Sequence, residues 1–472
     1  MTDYLKHNAL AYKDKPAVIF EDETMTWAEL QEAVGLVAGN IGPLIKSDGQ
    51  EVITLLLPNS IEFIVAYLAI IETGHIALPL DPAYKSLEFD NLIEQIPPKM
   101  IISNPEYKLK FSEVHQKNVT LLQELKHRTT RSYKPLRLNA KEQIASLTFT
   151  SGTTGRAKAV PNTHANHIWN IKVCSKRWDW TTNDTLLLSV PLSHMHGIVI
   201  GLSGAFYHGN TIYLQRWFDE TATLQLLASG KISVFTHAAS AYVKLTQGPD
   251  HNYDLAAVRL CISGAAPLPP AIWQKFKQRY GVEILETYGT SETGRIAGNH
   301  LHEKLLGSPG KPFSGVDLKL SEQGEVMIKS GGVFPGYFKN AGATKASLTD
   351  DGYWRTGDIA ELRDGYIFIK GRLQERIRRF GYTISPRDVE WALLKNPEIK
   401  DIYVLGRQVS GQPDDEIIYF LVTELDDEAI TAYCKQNLLF AWRPDKVIRL
   451  NELPKTRSGK VKMMELKDLI DD

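Results

Sequence analysis

Through residue 290 the chain alternates short apolar runs with amphipathic stretches. That rhythm limits it to an α/β fold, because strands separated by helices pair in parallel with both faces covered. Val52–Leu57, Ile144–Thr150, Thr185–Val190, Ile232–Phe235 and Val258–Ser263 read as buried strands. Thr26-Trp27-Ala28-Glu29 has capping-box spacing ahead of Leu30, Val34, Val37 and Ile41, which recur at helical intervals, and Ser60 caps a further helix ending near Gly74. Beyond about residue 310 the texture changes to short strands with glycine-rich turns, as in Gly324–Lys329 and Asp364–Ile369, so hairpins are expected. After Lys370-Gly371-Arg372 it changes again. Ser385-Pro386 opens a helix with proline at its first position, Asp401–Leu405 and Ile417–Thr423 read as strands, Asp427–Leu438 as a helix, and the remainder as a polar tail. The expected architecture is a large N-terminal body, residues 1–371, of α/β subdomains with parallel sheets plus a small β-rich subdomain. A junction at 372–374 then leads to a small α+β domain at 375–472.

At 472 residues the chain has room for roughly three cores without covalent staples. Its 54 Lys and Arg against 55 Asp and Glu leave a net charge of −1, so no long-range field favours a polyanion, and nucleic acid is not an expected partner. Cys174, Cys261 and Cys434 form no C-x-x-C pair, which points to a reducing compartment and away from a disulfide framework or structural zinc. The longest apolar run, Phe63–Ile71, is too short to cross a bilayer, and the N-terminus lacks a basic flank followed by an apolar core. A cytoplasmic protein without an integral membrane segment is the expectation; the oligomeric state is left open.

The segment Thr150-Ser151-Gly152-Thr153-Thr154-Gly155-Arg156-Ala157-Lys158 directly follows a predicted strand. Hydroxyls and closely approachable backbone N–H groups beside a lysine suit a polyphosphate, although Gly152 and Gly155 stand too close together for a Walker A loop; a flexible polar surface loop is the alternative. The segment resembles the phosphate loop of the adenylate-forming superfamily, which includes acyl-CoA synthetases, adenylation domains of nonribosomal peptide synthetases, and luciferases. Further matches follow in the family's order: Ser263-Gly264-Ala265-Ala266-Pro267-Leu268, Tyr288-Gly289-Thr290-Ser291-Glu292, Tyr353-Trp354-Arg355-Thr356-Gly357-Asp358, Gly371-Arg372 and Pro454-Lys455-Thr456-Arg457-Ser458-Gly459-Lys460. Gly289-Thr290-Ser291 is a near miss to a G-x-S-x-G nucleophile elbow, but Thr293 stands where the last Gly would be, so a serine hydrolase is rejected.

The resemblance implies an enzyme that activates a carboxylic acid with ATP, releasing pyrophosphate, and passes the acyl group from the adenylate to the thiol of CoA. ATP and CoA are then co-substrates and Mg2+ the metal. Thr150, Ser151, Gly152, Thr153, Thr154, Gly155 and Lys158 are implied to bind the phosphates, and Gly264, Ala265 and Ala266 to flank the adenine. Tyr288, Gly289, Thr290 and Ser291 complete the nucleotide site, with Thr290 and Ser291 near the α-phosphate, while Asp358 and Arg372 hold the ribose. Glu292 supplies a hard oxygen to Mg2+, with Thr150 as a second contact. Lys460 drives adenylate formation in this reading, a flexible cation suited to a pentacoordinate phosphorus; taken alone it is one of many solvated lysines. His194 joins Lys460 and Glu292 among the catalytic candidates. Between half-reactions the C-terminal domain rotates about 372–374, exchanging Lys460 for the segment Ile377–Tyr382, whose Arg378, Arg379 and Gly381 are expected to meet CoA.

This chain also departs from the pattern. Gln374 stands at the hinge where relatives hold Asp or Lys, and Ala157 and Ala159 replace the usual Pro and Gly around the loop lysine. Lys370–Arg387 carries six basic residues and one acidic residue, suited to the CoA phosphates or else a solvated face. In Pro191–Gly197, which aligns with the acyl gate, His194 stands without the Asp that pairs an amino-acid substrate. His196 is similar to that of dicarboxylate-activating relatives, but Thr287 occupies the place of their arginine, so a simple or aromatic monocarboxylate is expected. With His164 and His167 these histidines lack companions at metal-ligand spacing. An enzyme loading the phosphopantetheine of an acyl carrier protein and a non-catalytic adenylate-binding protein are the alternatives; retention of Glu292, Asp358, Arg372 and Lys460 argues against the latter.

Overall fold

A computed structural model describes residues 1–127, 135–136, 139, 141–150, 157–247, 253–409, 412, 414–456 and 459–470. Ser151, Gly152, Thr153, Thr154 and Gly155 of the phosphate loop lie outside the described residues, as do Arg457 and Ser458.

Two large sheets carry the N-terminal body. One runs Val119–Leu121, Met100–Ser103, Val52–Leu56, Ile76–Pro79, Ile144–Thr150, Lys158–Thr163, parallel except for its last pair. The other centres on the parallel strands Ile284–Thr290, Leu260–Gly264, Val234–Ala238, Thr185–Leu188, Thr211–Leu214 and Pro16–Phe20, with antiparallel strands at both edges. The helix Ile61–Thr73 buries every residue but Glu62, as an element apolar on all sides must. It belongs to one apolar cluster with Leu55 and Ala77 of the first sheet, Leu186 and Ile212 of the second, and Val34 and Val37 of the neighbouring helix Trp27–Ile41. Thr26 and Glu29 close the expected capping box on that neighbour.

The strand expected at Ile232–Phe235 starts later, at Val234, and runs to Ala238. The Ser233 hydroxyl explains the shift: it donates to Asp184 Oδ1 at 2.7 Å and accepts from Thr185 N at 3.0 Å, holding the backbone in a turn before pairing begins. A four-stranded antiparallel sheet, Asp317–Leu320, Glu325–Lys329, Trp354–Arg363 and Tyr366–Arg372, forms the β-rich unit. The C-terminal part builds on the strands Ile399–Gln408, Asp415–Thr423 and Lys446–Arg449, a hairpin at Ile377–Ile384, and the helices Pro386–Leu393 and Asp427–Asn437, around a cluster including Val389, Tyr419 and Ile430. The stretch read as a polar tail is structured: its strand Lys446–Arg449 and helix Met463–Asp468 place Leu453, Leu466 and Ile470 against Leu405 and Phe420. Those apolar residues are too widely spaced among charges to show a period. No helix among the described residues is long and apolar enough to cross a membrane.

Candidate active site

A hairpin register creates the first part of the site. Asp364 and Gly365 take φ of 51° and 79°, the left-handed pair of a tight two-residue turn, and link Trp354–Arg363 to Tyr366–Arg372. Arg363 pairs with Tyr366 and Ala360 with Ile369; a bulge then skips Lys370, so Asp358 faces Arg372 instead of Gly371. Arg372 Nε lies 2.9 Å from Asp358 Oδ1, and the Tyr288 hydroxyl donates to Oδ2 at 2.6 Å. Burial first, and the Asp358 charge second, push the Tyr288 phenol well above its ordinary pKa, so it remains a donor.

Glu292 sits in the turn between Ile284–Thr290 and Gly294–Gly298, fixed by Phe334 N donating to its carbonyl at 2.8 Å. Its carboxylate accepts from the Tyr337 hydroxyl at 3.1 Å, and Lys158 Nζ lies 4.9 Å from the centre of the Tyr337 ring. Thr150 pairs with Lys158 on the last rung before the phosphate loop, its hydroxyl donating to the Lys158 carbonyl at 3.4 Å. The Thr290 N–H donates to Thr293 Oγ1 at 3.1 Å, and the two hydroxyls lie 3.0 Å apart. The Glu292 carboxylate, held by a neutral phenol, keeps lone pairs for a hard cation, so it fits Mg2+.

Lys460 reaches this group from the far end of the sequence. Thr456 and Lys460 close a turn, Thr456 N to Lys460 O at 2.8 Å, beside a bridge between Lys455 and Val461. Gly459, at φ 82°, lies against Ser240: a Cβ there would stand 2.2 Å from Ser240 Oγ. The Lys460 side chain stays accessible to solvent, yet its pKa falls below the ordinary lysine value through desolvation in the cleft and then repulsion by Arg372, with Glu292 and Asp358 opposing. The structure thus gathers Lys460, Glu292, Asp358 and Arg372.

The hairpin Ile377–Ile384 is placed elsewhere. Arg378 N donates to Asp415 Oδ2 at 2.7 Å, and Arg379 holds Asp445 through two hydrogen bonds of 2.7 and 2.8 Å. Phe380 N donates to Asp414 and its ring stacks on Phe440, while Gly381 forms the hairpin turn, so these hairpin partners belong to the C-terminal sheet and its neighbouring loops. Gln374 lies in the short turn Leu373–Glu375.

Gly264 ends its strand beneath His196, and Ala265 takes φ of 63° as the chain turns toward Ala266. His194 is not without a carboxylate: the buried Asp81, distant in sequence, brings Oδ2 to 3.5 Å from His194 Nε2. His196 Nε2 lies 2.6 Å from Thr236 Oγ1, and burial, with the nearby charge of Arg295 next, lowers its pKa well below the usual value. His167 is enclosed between Ser146 and Ser203, and among the described residues no cluster of three or more His, Cys, Asp or Glu could hold a metal ion. Sequence reasoning missed Asp81, Ser240, Arg295 and Tyr337, none of which lies in a motif with recognisable spacing.

A carboxylate shared by an arginine and a tyrosine, next to an acidic turn and an incoming lysine, is an arrangement of charged groups suited to an enzyme site. Its family is shown by comparison: residues 5–338 match the model of the AMP-binding enzyme and residues 388–460 that of its C-terminal domain, so the chain belongs to the AMP-binding enzyme family. A 2-succinylbenzoate–CoA ligase of Listeria monocytogenes is 29% identical, with 99% of each chain covered. The probable CoA ligase CCL9 of Humulus lupulus is 30% identical over 98% of this chain and 94% of its own. ATP-bound MatB from Rhodopseudomonas palustris shares the fold at a TM-score of 0.90 and 24% identity, covering 100% of this chain and 99% of that one.

Proposed function

We propose that Lys460 is the cation at the reacting phosphorus in the first half of an acid–thiol ligation. The reaction is the ATP-dependent ligation of a carboxylic acid to CoA. A carboxylate oxygen attacks the α-phosphorus, the bond to pyrophosphate breaks, and the CoA thiol then displaces AMP from the acyl-adenylate. The approach of Lys460 to Glu292, Asp358 and Arg372 carries this reading, because negative charge grows on the α-phosphoryl oxygens where a positioned ammonium neutralises it. Asp358, Arg372 and Tyr288 hold the ribose, Gly264, Ala265 and Ala266 flank the adenine, and Thr290 and Ser291 bound the α-phosphate. Lys158 and the loop Ser151–Gly155 bind the outer phosphates. Glu292 and Thr150 would hold Mg2+, whose chemistry there is to offset phosphate charge. His194, steadied by Asp81, stands at the acyl entrance.

In the CoA half-reaction the C-terminal domain turns about 372–374, withdrawing Lys460 and presenting Arg378, Arg379 and Gly381 to CoA. The enzyme works in the cytoplasm. The Listeria relative, by its name, ligates 2-succinylbenzoate to CoA, which supports CoA as the thiol donor here. Lys460→Ala is expected to abolish carboxylate-dependent pyrophosphate release while sparing CoA attack on preformed acyl-adenylate. Assays of the two half-reactions test it, and equal loss of both would remove Lys460 from this role.

A further inference from the structure

Arg295 has no part in the nucleotide chemistry, yet it lies on the strand that directly follows Glu292. It lies on Gly294–Gly298 directly opposite Gly289, and its backbone N–H is held by Asn170 Oδ1 at 2.7 Å. The pairing slips by one residue between Tyr288 and Gly289, so a bulge at Ile296 brings Arg295 opposite Gly289. Gly264 packs closely on Thr287 and His196: a Cβ there would lie 3.4 Å from Thr287 Cγ2 and 3.3 Å from His196 Nδ1. The guanidinium is close enough to Cys174 and His196 for its charge to act on both.

Two polar groups here have unspent hydrogen-bonding capacity among the described residues. His196 is 7% exposed; Thr236 meets its Nε2, and its buried Nδ1 has no hydrogen-bond partner among the described residues. The Arg295 side chain likewise makes no hydrogen bond or ion pair among the described residues, and burial lowers its pKa, with Cys174 opposing. Arg177 shows the contrast, donating to Gly298 O at 3.0 Å and Pro312 O at 2.7 Å. A half-buried guanidinium with its donors unspent has them available for the carboxylate of a ligand.

We propose that Arg295, with His196 beside it, anchors a second carboxylate at the tail of the acid, so that the substrate is a dicarboxylic acid. The inference rests on the acid-activating reading above. The carboxylate to be activated lies by the adenylate site, and the tail runs past Gly264 and His196 to reach the guanidinium, which matches a carboxylate through two parallel N–H···O bonds. The expectation of a monocarboxylate is thereby replaced: the anchoring cation comes from the strand after the Tyr288–Glu292 motif, not from position 287 before it.

Pyrophosphate release is measured for matched acids, with malonate, succinate, glutarate, adipate and 2-succinylbenzoate each set against the monocarboxylate of the same skeleton, in wild type, Arg295→Leu and Arg295→Lys. The wild type is expected to favour one diacid over its partner by about tenfold or more. Arg295→Leu should lose roughly a hundredfold in kcat/KM on that diacid while keeping the monocarboxylate rate and the KM for ATP, and Arg295→Lys should recover part of the loss. Preference for the monocarboxylate in every pair, or equal loss on both members in Arg295→Leu, overturns the proposal. Absence of pyrophosphate release with every acid overturns the acid-activating reading itself.

Discussion

Tyr288 and Asp358 stand 70 positions apart in sequence, yet their hydrogen bond is among the shortest at the site, 2.6 Å. The carboxylate gives one oxygen to the phenol and the other to Arg372, and each oxygen retains a lone pair. Tyr288→Phe leaves the ring and removes only the donor that aims Asp358. It is expected to raise the KM for ATP roughly fivefold, about 1 kcal/mol, with kcat little changed. Steady-state kinetics check this, and an unchanged KM would reduce the phenol to a packing group. Asp358, Arg372, Glu292 and Lys460 are legible from their motifs. Asp81 and Arg295 are not, because a single Asp or Arg outside a motif is chemically ordinary until its burial is known.

At the scale of elements, one irregularity decides the Asp358–Arg372 pair. The Asp364-Gly365 dipeptide announces a tight hairpin, and its regular register would set Asp358 against Gly371. The bulge at Lys370 moves the pairing by one residue. A bulge depends on the packing of both strands and leaves no pattern in either one. The turn at Gly459 is a second such device, since its φ of 82° and the 2.2 Å approach to Ser240 Oγ leave no room for a side chain. Gly459→Ala is expected to slow pyrophosphate release about tenfold or more, through backbone strain and overpacking. CoA attack on preformed adenylate should be spared. Ser240→Gly in the same chain should restore part of the rate, and failure of that rescue would show that Ser240 does not seat the lysine turn.

Across the whole molecule, acids of the N-terminal body lie within reach of cations from the C-terminal domain. Glu286 is buried on Ile284–Thr290, where desolvation raises its pKa to about 7 against the hydrogen bond from Leu268 N and the charge of Arg387, the latter on the helix Pro386–Leu393. The folded state therefore binds this proton more tightly than the unfolded chain, whose ordinary value is 4.5. Its stabilising contribution is complete below pH 4.5 and is lost as pH rises toward 7. Removal of the proton then costs about 3 kcal/mol at neutral to alkaline pH. Glu286→Gln should accordingly be more stable than wild type at pH 8 and nearly equal to it at pH 4.5. Thermal midpoints at the two values check the sign; a variant less stable at pH 8 would show that the carboxylate is ionised and paired with Arg387.

The sequence by itself determined the α/β class, the helix caps at Thr26 and Ser60, the texture changes near the β-rich unit and the C-terminal domain, and the motifs that mark the AMP-binding enzyme family. These are short-range properties: hydrophobic period, turn chemistry and clusters of residue types act within a few positions. Only the tertiary structure decided that Lys460 comes within charge reach of Glu292 and Asp358, that a bulge sets Arg372 opposite Asp358, that Asp81 meets His194, and that the Arg295 side chain makes no hydrogen bond or ion pair among the described residues. Each of these depends on desolvation and charge summed over elements far apart in the chain, and distance along a sequence carries no measure of that sum.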